Sequence, residues 1–301
     1  MSSIALNIGF AAKAKAYFEL MKFRLSFLVA FSAAFGYALA SQGSLDWLVL
    51  MMLSIGGLLV SASSVTINQI IEKDLDALMK RTENRPLPTG RVSVKAATVF
   101  AVILGVVGLL ILFQFTNLLT TMLSFCSLVL YAFVYTPLKR VGPIAVFMGA
   151  IPGALPPLLG WVAATGVIDT LALVIFSIQF IWQFPHFWAI AWVSDDDYKR
   201  AGFKLLPGRG KKDLTTAFQI MTYTLFLIPL GLLPMRFGLT GMNSAIVVTI
   251  CGVLFLVQAI SLIKNCLKLD SKDSRKYALR IMFGSFLYLP IIQIAFLLDK
   301  I

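Results

Sequence analysis

The chain has 301 residues, 59% of them hydrophobic and 13% charged, with a mean hydropathy of +0.87 and a net charge of +12. That composition excludes a soluble globular domain. The bases are spread over several short loops rather than gathered on one patch, which speaks against a nucleic-acid partner and for a lipid or phosphorylated one.

A basic segment, 1–22, precedes the first uncharged run, 25–41. Ala38-Leu39-Ala40 resembles a signal-peptide cleavage site, but the long basic region and the many later runs favour a retained span. Further uncharged runs follow at 47–69, 96–116, 118–138, 141–168, 170–194, 214–235, 239–263 and 281–298. Each can cross a hydrocarbon core of about 30 Å as a helix. The expectation is an all-α integral membrane protein of nine transmembrane helices, folded as one polytopic domain over 1–301. Alternate assignment of the gaps puts 24 of the 26 bases on one side, leaving Arg236 and Lys300 on the other. The positive-inside rule then makes the N-terminus cytoplasmic and the C-terminus external, in a bacterial plasma (inner) membrane. Cys126, Cys251 and Cys266 lack metal or redox spacing. The fifth run, "GPIAVFMGAIPGALPPLLGW", carries four prolines and cannot be regular throughout; it reads as cavity wall or as a surface for close helix packing.

Two long gaps on the basic side, 68–95 and 194–213, hold acidic clusters. They follow the second and sixth runs, which hints at a parallel duplication bringing two acidic loops to one face. In the first, "NQIIEKDLDALMKRTENRPLP", Asn68, Glu72, Asp76 and Lys80 share one helical stripe, and Asp74 faces away. Two carboxylates and an amide oxygen suit Mg²⁺ bound partly through a substrate's phosphates. Lys80, Arg81, Arg85 and Arg91 lie within reach of such phosphates, and Pro86 and Pro88 close the helix. A mixed charge run is more often a solvated, salt-bridged loop. The second cluster, "DDDYKRAGFKLLP", repeats acids before bases on the same face, the pattern of a diphosphate held by bridging metal ions and steadied by Lys and Arg.

The first stretch resembles the acidic motif of the UbiA superfamily of membrane prenyltransferases: Asn, acids four and eight residues on, then Arg-Thr-x-x-Arg-Pro-Leu. "YTPLKR" is similar to that family's Tyr-x-x-x-Lys element. "GALPPLLGW", "WQFPHFWAIAW" and "DDYKRAGFKLLP" resemble its haem-farnesylating branch. The resemblance runs from Lys22 to the last span. It implies a bundle around a central cavity, with Mg²⁺ and farnesyl diphosphate at the cytoplasmic mouth and haem B as acceptor. Asn68, Glu72 and Asp76 would hold one metal, and Asp196 and Asp197 a second. Tyr135 and Lys139 would face the diphosphate, with Arg81, Arg85, Lys199 and Lys204 beside them; Tyr135 also suits an interfacial aromatic anchor. The departures are Gln69 and Glu72, where many members carry Asp, and Val193 four residues before Asp197.

The implied reaction is farnesyl transfer to a haem vinyl group with water addition, giving haem O and diphosphate, in a water-poor cavity and without a protein nucleophile. The sole histidine, His186, shares a polar stripe with Gln179 and Gln183 on the sixth run. The stripe would line the haem pocket, with His186 on iron or a propionate, or His186 would satisfy a carbonyl freed by Pro185. Quinone precursors or a chlorophyllide are alternative acceptors. Transport of an anionic solute is a rival class, disfavoured because no charge interrupts the nine runs. Contact with a haem A synthase or oxidase assembly factors follows from the pathway alone.

Overall fold

The structure, a computed structural model, describes residues 9–208, 210–267 and 274–301. The first eight residues of the N-terminal segment, Arg209 of the 194–213 loop, and 268–273 lie outside it.

Nine helices among the described residues are long and apolar enough to span a bilayer. They are α1 (Phe23–Ala40), α2 (Trp47–Ile71), α3 (Val94–Phe115), α4 (Leu118–Leu138), α5 (Ile144–Thr165), α6 (Thr170–Val193), α7 (Leu214–Arg236), α8 (Met242–Cys266) and α9 (Ser274–Leu298). A shorter helix, Phe10–Leu20, precedes them. Three acids outside the motifs sit at helix starts, where unpaired amides welcome negative charge. Asp46 accepts from Leu48 and Val49, Asp169 from Ala172, and Asp213 from Thr216. The last span begins seven residues before the uncharged run, because Arg275, Lys276 and Arg280 ride on its first turns.

Successive spans pack side by side, and α9 returns to α1, so the nine form a ring; α1 against α5 and α6 against α9 divide it into two lobes. α5 and α6 are the most enclosed spans. The α1–α5 seam is backbone against backbone: a Cβ at Gly36 would strike the Pro157 carbonyl, and one at Gly160 that of Ala33. Proline enrichment does not break α5, which is helical from Ile144 to Thr165 with Pro152, Pro156 and Pro157 inside it. Pro157 offers no N–H to Gly153 O, and α6 supplies the missing donors: Gln179 Nε2 at 2.8 Å and Gln183 Nε2 at 3.0 Å. Gln179 Oε1 in turn accepts from Ser32 on α1 and Gln293 on α9.

Both acidic loops lie at one end of the ring, where Asp197 bonds the backbone amides of Lys80 and Arg81. The C-terminus lies at the other. There Thr240 pairs with Lys300, Asp299 accepts from Ser244 N at 2.7 Å, and Lys300 Nζ caps the carbonyls of Ala38 and Ser41 at the end of α1.

Candidate active site

At the motif end, a cavity of about 90 Å³ is lined by Lys22, Asn68, Glu72, Asp76, Arg81, Arg85, Tyr131, Tyr135 and Lys139, with Met79, Tyr198, Phe203 and Leu205 completing the wall. The first motif reaches it because α2 ends at Ile71 while helical bonding continues, from Glu72 N to Asn68 O and from Asp76 N to Glu72 O. Asn68, Glu72 and Asp76 therefore keep one face. The helix does not extend to Lys80, contrary to the expected stripe. After Asp76 the chain turns, with Thr82 Oγ1 bonding Asp76 O, and Lys80 is exposed outside the cavity.

α4 brings the opposite wall through a π-helical stretch, Leu130–Tyr135. Its wider turn lets Thr136 Oγ1 donate to Tyr131 O and accept from Asn68 Nδ2 at 3.0 Å, which ties α4 to α2. Such stretches recur at functional sites, where they re-aim side chains. Tyr135 lies flat on α5, where a Cβ at Gly149 would come within 2.6 Å of its ring. Tyr135 is buried in the cavity wall, and Lys139 Nζ lies 4.7 Å from its ring centroid.

Acids and bases meet in pairs. Lys139 Nζ is 2.8 Å from Glu72 Oε1, and Arg85 Nη1 is 2.6 Å from Asp76 Oδ2. Both carboxylates are buried, so each depends on its partner; breaking such a pair costs about 3–5 kcal/mol. Asp76 Oδ1 is buried without a partner among the described residues. That orphaned oxygen, beside Glu72 and the Asn68 amide, fits a hard divalent cation completed by water and substrate phosphate. Among the described residues no group of three or more His, Cys, Asp or Glu could hold a metal by itself.

Lys22, absent from the expected set, enters the same cavity from the turn before α1. Burial, reinforced by the charges of Arg85 and Lys139, lowers its ammonium to about 7 against the pull of Asp76 and Glu72. Its signal in sequence was a base at the very mouth of the first span.

The second cluster is arranged differently. Asp197 holds the first loop through the Lys80 and Arg81 amides and pairs with Arg200. Asp196 has a side chain 86% exposed, and Asp195, which had no assigned role, is the buried member, paired with Lys199 and Lys212. Neither Asp196 nor Asp197 lines the cavity. Lys199 and Lys204 stay outside it as well: the Lys199 side chain is 63% exposed, and Lys204 is exposed while its amide donates to Lys139 O. What the second loop does contribute is Tyr198, Phe203 and Leu205.

His186 lies apart from this cavity, stacked on Trp182 at 4.4 Å with Nδ1 2.8 Å from Ser285 Oγ on α9. Ser285 donates its own proton to Met282 O, so Nδ1 carries the hydrogen and Nε2 the lone pair. His186 thus satisfies Ser285 rather than a carbonyl freed by Pro185. Gln183 is engaged with Gly153 O, which accounts for the polar stripe structurally.

The sequence matches the UbiA prenyltransferase family over residues 29–287. It is 53% identical to a protoheme IX farnesyltransferase of Cytophaga hutchinsonii, over 97% of this chain and 99% of that one. Among solved structures, that of a digeranylgeranylglyceryl phosphate synthase superposes with a TM-score of 0.77 at 20% identity, covering 95% of this chain and 98% of the other. A UbiA homologue from Archaeoglobus fulgidus bound to DMAPP and Mg²⁺ gives 0.63 at 15% identity, covering 92% and 98%. These two establish the likeness of fold.

Proposed function

Because the chain belongs to the UbiA prenyltransferase family, we propose that it transfers the farnesyl group of farnesyl diphosphate to a vinyl group of haem B, with water addition, giving haem O and diphosphate. It is an enzyme, a membrane prenyltransferase whose family is consistent with Mg²⁺ dependence. The observation that carries the site is the unpartnered Asp76 Oδ1 in a cavity where Glu72 and Asn68 share its face and Lys22, Arg81, Arg85 and Lys139 surround it.

Asn68, Glu72 and Asp76 would hold Mg²⁺ on the diphosphate. When bound, the metal offsets charge on the leaving diphosphate and eases departure of the allylic carbon. Lys139 and Arg85, now paired with carboxylates, exchange those partners for phosphate oxygens, joined by Lys22 and Arg81. The Tyr131 and Tyr135 rings and Phe203 shield the reacting carbon from water. Asp197 keeps the Arg81 loop over the mouth, and a second metal on Asp196 and Asp197 would require both to turn inward from their present partners. His186, bonded through Nδ1 to Ser285, keeps the other ring nitrogen for a ligand and supports a porphyrin acceptor more than a phenolic one, whereas Gln183 is engaged with Gly153 O. The membrane is read as the bacterial plasma membrane, with the N-terminus and both motif loops cytoplasmic, supported by the placement of 24 of 26 bases. Handing haem O to a haem A synthase or an oxidase assembly factor is expected from the pathway alone.

The test is a product assay in nanodiscs with haem B, farnesyl diphosphate and Mg²⁺, read by mass spectrometry beside a Glu72→Gln, Asp76→Asn double variant. Haem O from the wild type alone supports the reading. Prenylation of a phenolic acceptor supplied in parallel, without haem O, overturns the acceptor and keeps the metal chemistry.

A further inference from the structure

The turn between the helix Phe10–Leu20 and α1 is the point of backbone strain. Among the described residues, Lys22 is the only non-glycine with positive φ, at φ 44° and ψ 53°. A side chain in that left-handed region is strained and persists only where its surroundings enforce it. Here two elements do so. The Met21 and Lys22 amides bond the Tyr17 and Glu19 carbonyls at the end of the short helix, which leaves the Leu20 carbonyl to a partner from elsewhere. Leu20 O receives Gln69 Nε2 at 2.8 Å from α2, while the neighbouring Thr66 Oγ1 gives its proton to Ala62 O at 2.7 Å. Met21 O receives Ser26 Oγ at 2.9 Å from the first turn of α1. Leu20, Thr66 and Gln69 are all buried, so the contact lies beneath the surface rather than at a frayed end.

Gln69 follows Asn68 directly, and on a helix the two point about 100° apart. Asn68 faces the cavity and bonds Thr136; Gln69 is absent from the cavity wall and faces the incoming chain. One turn of α2 thus presents the metal-binding face and, beside it, a bracket for the segment that delivers a base to the same site.

We propose that Gln69 is a positioning residue for diphosphate binding: by holding the Leu20 carbonyl it fixes the left-handed turn that carries Lys22 into the cavity. The inference rests on the reading of that cavity as the diphosphate site. Gln69 touches neither substrate nor metal, and its whole effect passes through Lys22.

The test uses the full chain in nanodiscs, with farnesyl diphosphate, haem B and Mg²⁺ for turnover, and Mg²⁺ with inorganic pyrophosphate for calorimetric binding. Gln69→Met keeps the length and removes the donor. Alone, Gln69→Met and Lys22→Met each raise KM for farnesyl diphosphate and Kd for pyrophosphate about tenfold, with kcat and the Mg²⁺ half-saturation changed less than about twofold. Combined, they are no worse than Lys22→Met, whereas independent losses would multiply to about a hundredfold. Gln69→Asn, a milder change that keeps the amide but shortens its reach to the Leu20 carbonyl, raises KM about threefold and is likewise silent beside Lys22→Met; it serves if Gln69→Met fails to fold. The inference is overturned by multiplying losses, by a shifted Mg²⁺ half-saturation, or by an unchanged KM in Gln69→Met. A wild type that makes no haem O overturns the functional reading instead, and the pyrophosphate arm still decides whether Gln69 acts through Lys22.

Discussion

The two acidic clusters have similar composition and lie at the same end of the ring, yet they sit in opposite environments. Glu72 and Asp76 are buried, each held by a base from the cavity wall, with one carboxylate oxygen left over. Asp196 stands in solvent, and Asp197 spends both oxygens on backbone amides of the other loop. What separates them is which helix face carries them. Asn68, Glu72 and Asp76 continue the inward stripe of α2, whereas Asp195, Asp196 and Asp197 are consecutive and must point three ways. In the proposed function the first cluster ligates, and in the structure the second fastens the other loop.

The largest effect should come from the first cluster. Asp76→Asn or Glu72→Gln is expected to lower kcat/KM by about a thousandfold in initial-rate assays, since each removes a charge aimed at the leaving group. Equal losses from Asp196→Asn would break the comparison. Asp197→Ala should lower kcat/KM about tenfold, through KM, because the Arg81 loop loses its acceptor; a Mg²⁺ titration with an unchanged midpoint separates fastening from ligation.

A smaller effect concerns pH. The Lys22 ammonium lies near 7 in the folded chain against 10.5 ordinarily. Between those values the unfolded chain holds a proton that the folded one has released, so this group's contribution to stability rises with pH across that window and is lowest below about 7. Diphosphate affinity runs the other way. KM for farnesyl diphosphate should rise several-fold from about pH 6 to about pH 8, a slope that Lys22→Met flattens. Smallest of all, Lys199→Ala should move KM less than about twofold and stability by under about 1 kcal/mol, because its ion pair with Asp195 is largely solvated.

All nine spans were legible because charge-free length suffices to mark a membrane helix; the start of α9 was not, since basic residues on a first turn hide it. The stripe Asn68, Glu72, Asp76 was legible because it is local and periodic. Lys22 escaped notice because it reaches the site by a turn that α2 enforces from 47 residues away along the chain, through Gln69 on Leu20. Gln69 itself was visible only as a departure from the family pattern. Gln183 and His186 were expected to line a haem pocket; in the structure their partners, Gly153 and Ser285, belong to α5 and α9, and no spacing within α6 names them. Lys199 and Lys204 had the right charge and the wrong side of a loop.

The fastening at the far end has its own bearing on the whole. Lys300 grips the last carbonyls of α1, and Gln293 bonds Ser32, so the end of the final span is stitched to the second half of the first. A ring of helices closed in this way has no free edge at which unravelling can begin, and the second-last residue of the chain acts as the buckle that keeps the span behind Lys22 in place.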